Sequence, residues 1–262
     1  MSIHIKLARA MIRLGAALQA LAVMVLPADD LVEISRQTYA KPNSIEGWSS
    51  DDVLNPGLYP REQHLLELLP KKQGRMLLLG VGGGREAVPF ARLGYEVTGL
   101  DFVPALVERA IANAASQGLR IDGLVQNIAQ LDLAANTYDV VWLSAAMYSC
   151  VPTRTRRVEM LRRIHGTLTP GGYFACQFHW DPRQLPSSRG RRWRKALAWL
   201  SFGNLTYEPG DMLWANIEFI HAFSSAEDLT TEFRQGGFEV IWLHIPQDGS
   251  LRGEALLRKP QS

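Results

Sequence analysis

Between Arg75 and Trp180, short apolar runs of strand length alternate with helix-patterned stretches, and this rhythm constrains the fold more than any other feature. "RMLLLGV" is apolar throughout, as expected of a strand covered on both faces. "GGREAVPFARLG" then reads as a helix ended by Gly94, "YEVTGLD" as a second strand, and "VPALVERAIANAASQG" as a helix with Pro104 in its first turn. "RIDGLVQNI", "YDVVWLSAAM" and "TPGGYFACQFHW" follow as strands, with "RTRRVEMLRRIHGTL" as the helix before the last of them. Repeated strand–helix–strand units imply a doubly wound α/β fold around a mostly parallel sheet with helices on both faces.

The flanks are less regular. "SSAEDLTTEFRQGG" reads as a capped helix, and "FEVIWLHI" with "GEALLRKP" as a reversed closing pair that brings the sheet to seven strands. Residues 1–70 are expected to form a helical cap or lid, and 71–262 the main domain, with an insertion at about 181–213 after the fifth strand. "KPNSIEGWSSDDVLNPGLYP" is turn-rich and reads as a loop carrying Trp48 and Tyr59, while "MLWANIEFIHAF" reads as one strand.

The N-terminal stretch has Lys6, Arg9 and Arg13 ahead of an apolar run from Leu14 to Leu26 that only Gln19 interrupts. This run is too short to span a bilayer. Its helical spacing of basic residues favours a retained amphipathic helix over a cleaved signal, packed on its own protein or lying on a membrane surface. The basic, aromatic segment 189–200, with Trp193, is a second candidate for peripheral membrane contact.

A net charge of +2 gives no global attraction for nucleic acid, and none is expected as a partner. Cys150 and Cys176 lie in apolar runs without metal-ligand spacing, which suits free thiols in a reducing cytoplasm. No metal site is expected.

The first strand runs into glycines at Gly80, Gly82 and Gly84. A dinucleotide fingerprint needs G-x-G-x-x-G, and its third position falls here on Arg85, against a nicotinamide or flavin enzyme. The G-x-G-x-G spacing resembles motif I of the class I S-adenosylmethionine-dependent methyltransferases, over about Met76 to Trp180. The resemblance implies that the three glycines pack against the cofactor's methionine part. It also implies that Asp101, 21 residues after Gly80, binds the ribose hydroxyls. A carboxylate can accept two hydrogen bonds from a diol. Phe102 would then face the adenine ring, with Asn127 and the Ile128 N–H at its edge, and Ser144 to Tyr148 would line the reaction centre. S-adenosyl-L-homocysteine would be the product.

Many relatives carry an acidic residue where this chain has Leu78, so the cofactor's amino-acid end needs another holder, with Arg85 and Glu86 as candidates. On the acceptor side Tyr148 and His179 are the catalytic candidates, with Asp181 close to the latter. His221 is a weaker one, and His4, His64, His165 and His244 are given no role. No "DPPY" or "NPPY" follows the fourth strand. Aromatic lid residues favour a small or lipid-like O, N or S acceptor. The rival readings are a non-catalytic scaffold that keeps the cofactor fold and an NAD(P)-dependent oxidoreductase.

Overall fold

The computed structural model describes residues 2–184, 204–214 and 218–261. Helices α1 (Ile3–Val25), α2 (Ala28–Tyr39), α3 (Pro42–Trp48), α4 (Asp51–Leu54) and α5 (Pro60–Leu68) precede strand β1 (Gly74–Leu79). The alternation continues with α6 (Ala87–Arg92), β2 (Tyr95–Asp101), α7 (Pro104–Ser116), β3 (Asp122–Val125), β4 (Tyr138–Leu143), α8 (Arg154–Thr167) and β5 (Leu168–His179). A hairpin of β6 (Asp211–Trp214) and β7 (Glu218–His221), helix α9 (Ala226–Gln235), β8 (Glu239–His244) and β9 (Arg252–Arg258) complete the described chain.

Seven strands form one sheet in the order β3-β2-β1-β4-β5-β9-β8, and only β9 runs against its neighbours β5 and β8. The apolar run of β1 serves two cores because side chains alternate across a strand. Leu77 and Leu79 pack with Met160, Leu161 and Ile164 of α8 and Phe233 of α9. Met76 and Leu78 pack on the other face with Leu65, Phe90 and Val107 from α5, α6 and α7. The chain order reverses between β1 and β4, so their C-terminal ends open a crevice, where ligands bind in sheets of this kind.

Three expectations are corrected. The turn-rich stretch 41–60 holds two short helices, α3 and α4, with Pro42 at the start of α3, where its missing N–H costs nothing. "MLWANIEFIHAF" is two antiparallel strands in their own small sheet, Asp211 facing His221 and Trp214 facing Glu218. A cap boundary at residue 70 also cuts α5 from the sheet that buries its Leu65. The cap is instead the end of α1, α2 and the β6–β7 hairpin, joined through buried Val23, Met24, Leu31, Tyr207 and Phe219. Asn204 ties this cap together, donating from its side chain to the Val23 carbonyl at 3.0 Å and from its backbone to that of Met24 at 2.8 Å. Segment 189–200, with Trp193, lies outside the described residues.

Candidate functional site

A cavity of about 840 Å³ lies over the C-terminal ends of β1, β2 and β4, roofed by α2, α3 and the hairpin. A smaller hollow of about 220 Å³ at the opposite edge, beside Asp139 and Gly171, holds none of the predicted residues.

The glycine loop forms one wall. Gly80 takes φ +72°, a conformation that favours glycine, and a Cβ there would also make the Met147 side chain shift. Gly84, at φ +96°, has a different task from that predicted. Its missing side chain lets α7 approach, a Cβ lying 3.1 Å from the Ala110 Cα, and Gly84 is not among the residues lining the cavity.

Asp101 ends β2 facing this loop. Its Oδ2 accepts from the Gly82 N–H at 3.1 Å and its Oδ1 from the Val103 N–H at 3.0 Å. Burial pushes the carboxyl's pKa up, and these backbone donors pull it down. A carboxylate has lone pairs beyond these two bonds. Phe102, Asn127 and Ile128 line the next stretch of wall. The Asn127 side-chain oxygen caps a short turn by accepting from the Ala129 N–H at 2.9 Å, which fixes the amide's direction.

Beyond β4, Ser144, Ala145, Ala146 and Met147 line the cavity. Ala145 and Ala146 both have positive φ, +53° and +60°. Such backbone costs about 1 kcal/mol or more per residue and persists only where surroundings enforce it. Gln177 does so in part, accepting from the Ala145 N–H at 2.9 Å.

Tyr148 does not reach the cavity, which corrects its assignment as a catalytic candidate. It is fully buried on the other side of that turn, donates to Glu232 at 2.8 Å and stacks on Phe223 at 5.7 Å. Burial and the neighbouring Glu232 raise its pKa well above the ordinary tyrosine value. Arg157 completes the cluster, bonding Glu232 through Nε and Nη2 at 3.0 and 2.8 Å and Glu208 at 2.8 Å. His221 belongs to the same region, its Nδ1 2.8 Å from Asp211. Glu208, Asp211 and His221 bring potential ligand atoms within 4.8 Å of one another, but the Arg157 guanidinium already sits on Glu208. That arrangement is an ion cluster pinning the hairpin to α8.

His179 does line the cavity, at the end of β5, edge-on to Trp214 with ring centroids 5.4 Å apart. Burial pushes its pKa down, Asp181 pushes it up and Arg252 lowers it further.

Arg85, on the cavity wall, is held chiefly by Glu62 and also reaches Glu86 through Nη2 at 3.3 Å. Its two terminal nitrogens hold Glu62 at 2.6 and 2.7 Å, and its guanidinium lies 4.3 Å over the Tyr59 ring. Glu86, by contrast, is a buried carboxyl on the cavity wall, bonded to Ser144 and to the Trp142 indole N–H at 3.3 Å. Burial, reinforced by Glu62, lifts its pKa to about 7, and Arg85 opposes the shift.

Sequence reasoning missed a second polar group. Glu218 of β7 accepts from the Tyr39 hydroxyl and from the Cys150 thiol, at 3.4 Å for the latter, and all three line the cavity. Burial raises the Glu218 pKa. No local pattern marks this residue, because its role depends on the hairpin folding back over β4.

Residues 77–176 match the protein family described as "Methyltransferase domain". A ubiquinone biosynthesis O-methyltransferase from Maricaulis maris is 35% identical over 105 residues, 39% of this chain and 39% of that protein. The chain therefore spans well under two thirds of the relative it matches. Among solved structures, an S-adenosylmethionine-dependent methyltransferase from Methanosarcina mazei aligns with a TM-score of 0.59 at 20% identity, over 78% of this chain and 99% of that one. The cyclase SpnF aligns with a TM-score of 0.56 at 18% identity, over 76% and 80%. At such identities the likeness concerns the fold, which hosts more than one chemistry.

Proposed function

We propose that this chain, whose residues 77–176 match the family described as "Methyltransferase domain", is a class I S-adenosylmethionine-dependent methyltransferase that methylates an oxygen of a small, largely apolar acceptor. The observation that carries this reading is Asp101, a buried carboxylate held by the glycine loop inside a cavity large enough for a nucleoside and a second molecule. S-adenosylmethionine, when bound, supplies a methyl group already activated on a sulfonium.

The residues present suit that cofactor. Asp101 holds the ribose hydroxyls, Phe102 the adenine face, and Asn127 with the Ile128 N–H its edge. The loop backbone at Gly80 and Gly82 faces the methionine portion. Glu86 supplies the carboxylate that Leu78 does not. Its bonds to Trp142 and Ser144 aim it along the cavity wall, and a ligand ammonium adds a second counter-charge to that of Arg85, which lies 3.3 Å away and is shared with Glu62.

Tyr39, Trp48 and Trp214 leave an apolar, aromatic space for the acceptor, and Glu218 and His179 are its polar groups. A hydroxyl acceptor must lose its proton, and a lowered pKa keeps the His179 imidazole neutral near pH 7, able to take it. The name of the Maricaulis relative supports oxygen as the methylated atom.

Titration calorimetry with S-adenosylhomocysteine, followed by incubation of phenolic acceptors with methyl-labelled cofactor, tests this reading. Tight binding with label transfer to a phenol supports it. Binding without transfer to any acceptor favours the scaffold reading, and binding of NADH in its place would overturn it.

A further inference from the structure

The N-terminal helix carries a surface that the catalytic reading does not use. Ile3, Leu7, Met11, Leu14, Leu18 and Leu21 recur at spacings of four and three, which puts them within an arc of about 80° on one face. All six are exposed, between 38 and 73%. Ile5 and Ile12, on the opposite side of the helix, are exposed as well, but the stripe is the contiguous patch, and contiguous exposed apolar patches mark interaction sites.

The stripe stands on a fixed base. Val23 and Met24, near the end of α1, are buried against the cap, where Asn204 grips both carbonyls. Lys6 and Arg9 fall on the helix outside the stripe. No Asp or Glu occurs before Asp29.

We infer that α1 lies in the interface of an anionic lipid bilayer, its leucine-rich stripe among the acyl chains and its basic side chains against the headgroups. Charge decides between this occupant and a second copy of the chain. Two such helices side by side would bring like charges together, with no acidic residue at flanking positions to offset them. An anionic surface attracts those charges. Among the described residues no helix is long and apolar enough to cross a membrane, so the contact is one of lying on the surface. Helix α2 follows after Pro27 and contributes Val32, Ser35 and Tyr39 to the cavity, so docking brings the cavity's roof to the bilayer.

Co-sedimentation of the full chain with vesicles tests this, comparing phosphatidylcholine alone with phosphatidylcholine and phosphatidylglycerol at about 2:1. The chain should pellet with the mixed vesicles, less so as salt is raised, and should stay in solution with phosphatidylcholine alone. The Leu14→Glu/Leu18→Glu variant should lose at least about tenfold in vesicle affinity. It should keep wild-type affinity for S-adenosylhomocysteine, since both positions are exposed and neither lines the cavity. Lys6→Glu/Arg9→Glu should reduce binding to the mixed vesicles only. Wild-type protein that remains in the supernatant with anionic vesicles at low salt overturns the inference. So does a lipid-free dimer by light scattering that Leu14→Glu/Leu18→Glu converts to monomer while vesicle binding stays unchanged. Neither result bears on cofactor binding, so failure here is distinct from failure of the methyltransferase reading.

Discussion

The Gly82 N–H donates to the Asp101 carboxylate at 3.1 Å, so the loop after β1 and the residue ending β2 are tied together by the protein's own hydrogen bond. Preorganisation of this kind lowers the cost of binding, because neither group must be ordered by the ligand. It also makes Asp101 the most exacting test of the site.

Asp101→Ala should weaken S-adenosylhomocysteine binding by about tenfold to a hundredfold, equal to about 1.4–3 kcal/mol, because a charged acceptor is removed from two hydroxyls. Calorimetry reads this directly. Unchanged affinity would show that the ribose is held elsewhere.

Glu86→Gln should cost about tenfold in affinity for S-adenosylhomocysteine while leaving 5′-methylthioadenosine, which lacks the amino-acid end, within about twofold. Equal losses for both ligands would reduce Glu86 to a support for Trp142 and Arg85. The same residue gives a pH signature. Its pKa is raised to about 7 in the folded protein from 4.5, so between these values the native state holds more proton than the unfolded chain. Stability of the ligand-free protein should therefore fall as pH rises from about 4.5 to 7, by on the order of 1–3 kcal/mol from this group. Thermal melts across that range should flatten in Glu86→Gln.

Tyr148→Phe separates structure from chemistry. It removes the hydroxyl that bonds buried Glu232, which should cost about 1–3 kcal/mol of stability. Cofactor affinity should stay within about twofold, since the ring sits behind the cavity wall. A loss of cofactor binding in a fully folded Tyr148→Phe protein would contradict this placement.

His179→Ala and Glu218→Gln should each lower methyl transfer without a matching loss of cofactor affinity. Because burial lowers the His179 pKa, its neutral form persists to more acid pH than that of a free histidine. Transfer should decline as pH falls through that lowered value, and the decline should vanish in His179→Ala. A retained acid limb would assign the titration to another group, with Glu218 the next to test.

The sequence by itself determined the sheet and brought the glycine loop and the acid ending β2 to one wall of the cavity. Alternation of apolar strands with helices, the glycines after β1 and the acid ending β2 are local signals. Each works through backbone geometry within a few residues, and the parallel fold then brings strand ends together by topology alone. Gly84 shows the limit even there, since a glycine needed for the approach of α7 looks in sequence like one needed for a ligand. The opposite wall of the cavity was decided only by tertiary structure. Tyr148 follows β4 at a position where strand ends present reactive groups, yet the left-handed turn at Ala145 and Ala146 sends it to Glu232 in the core. Glu218 comes 68 residues after Cys150, and only the packing of the hairpin against α1 and α2 sets the two 3.4 Å apart. Burial then raises the pKa values of Glu86 and Glu218, and burial is a property of what surrounds a residue in space, which no local pattern records.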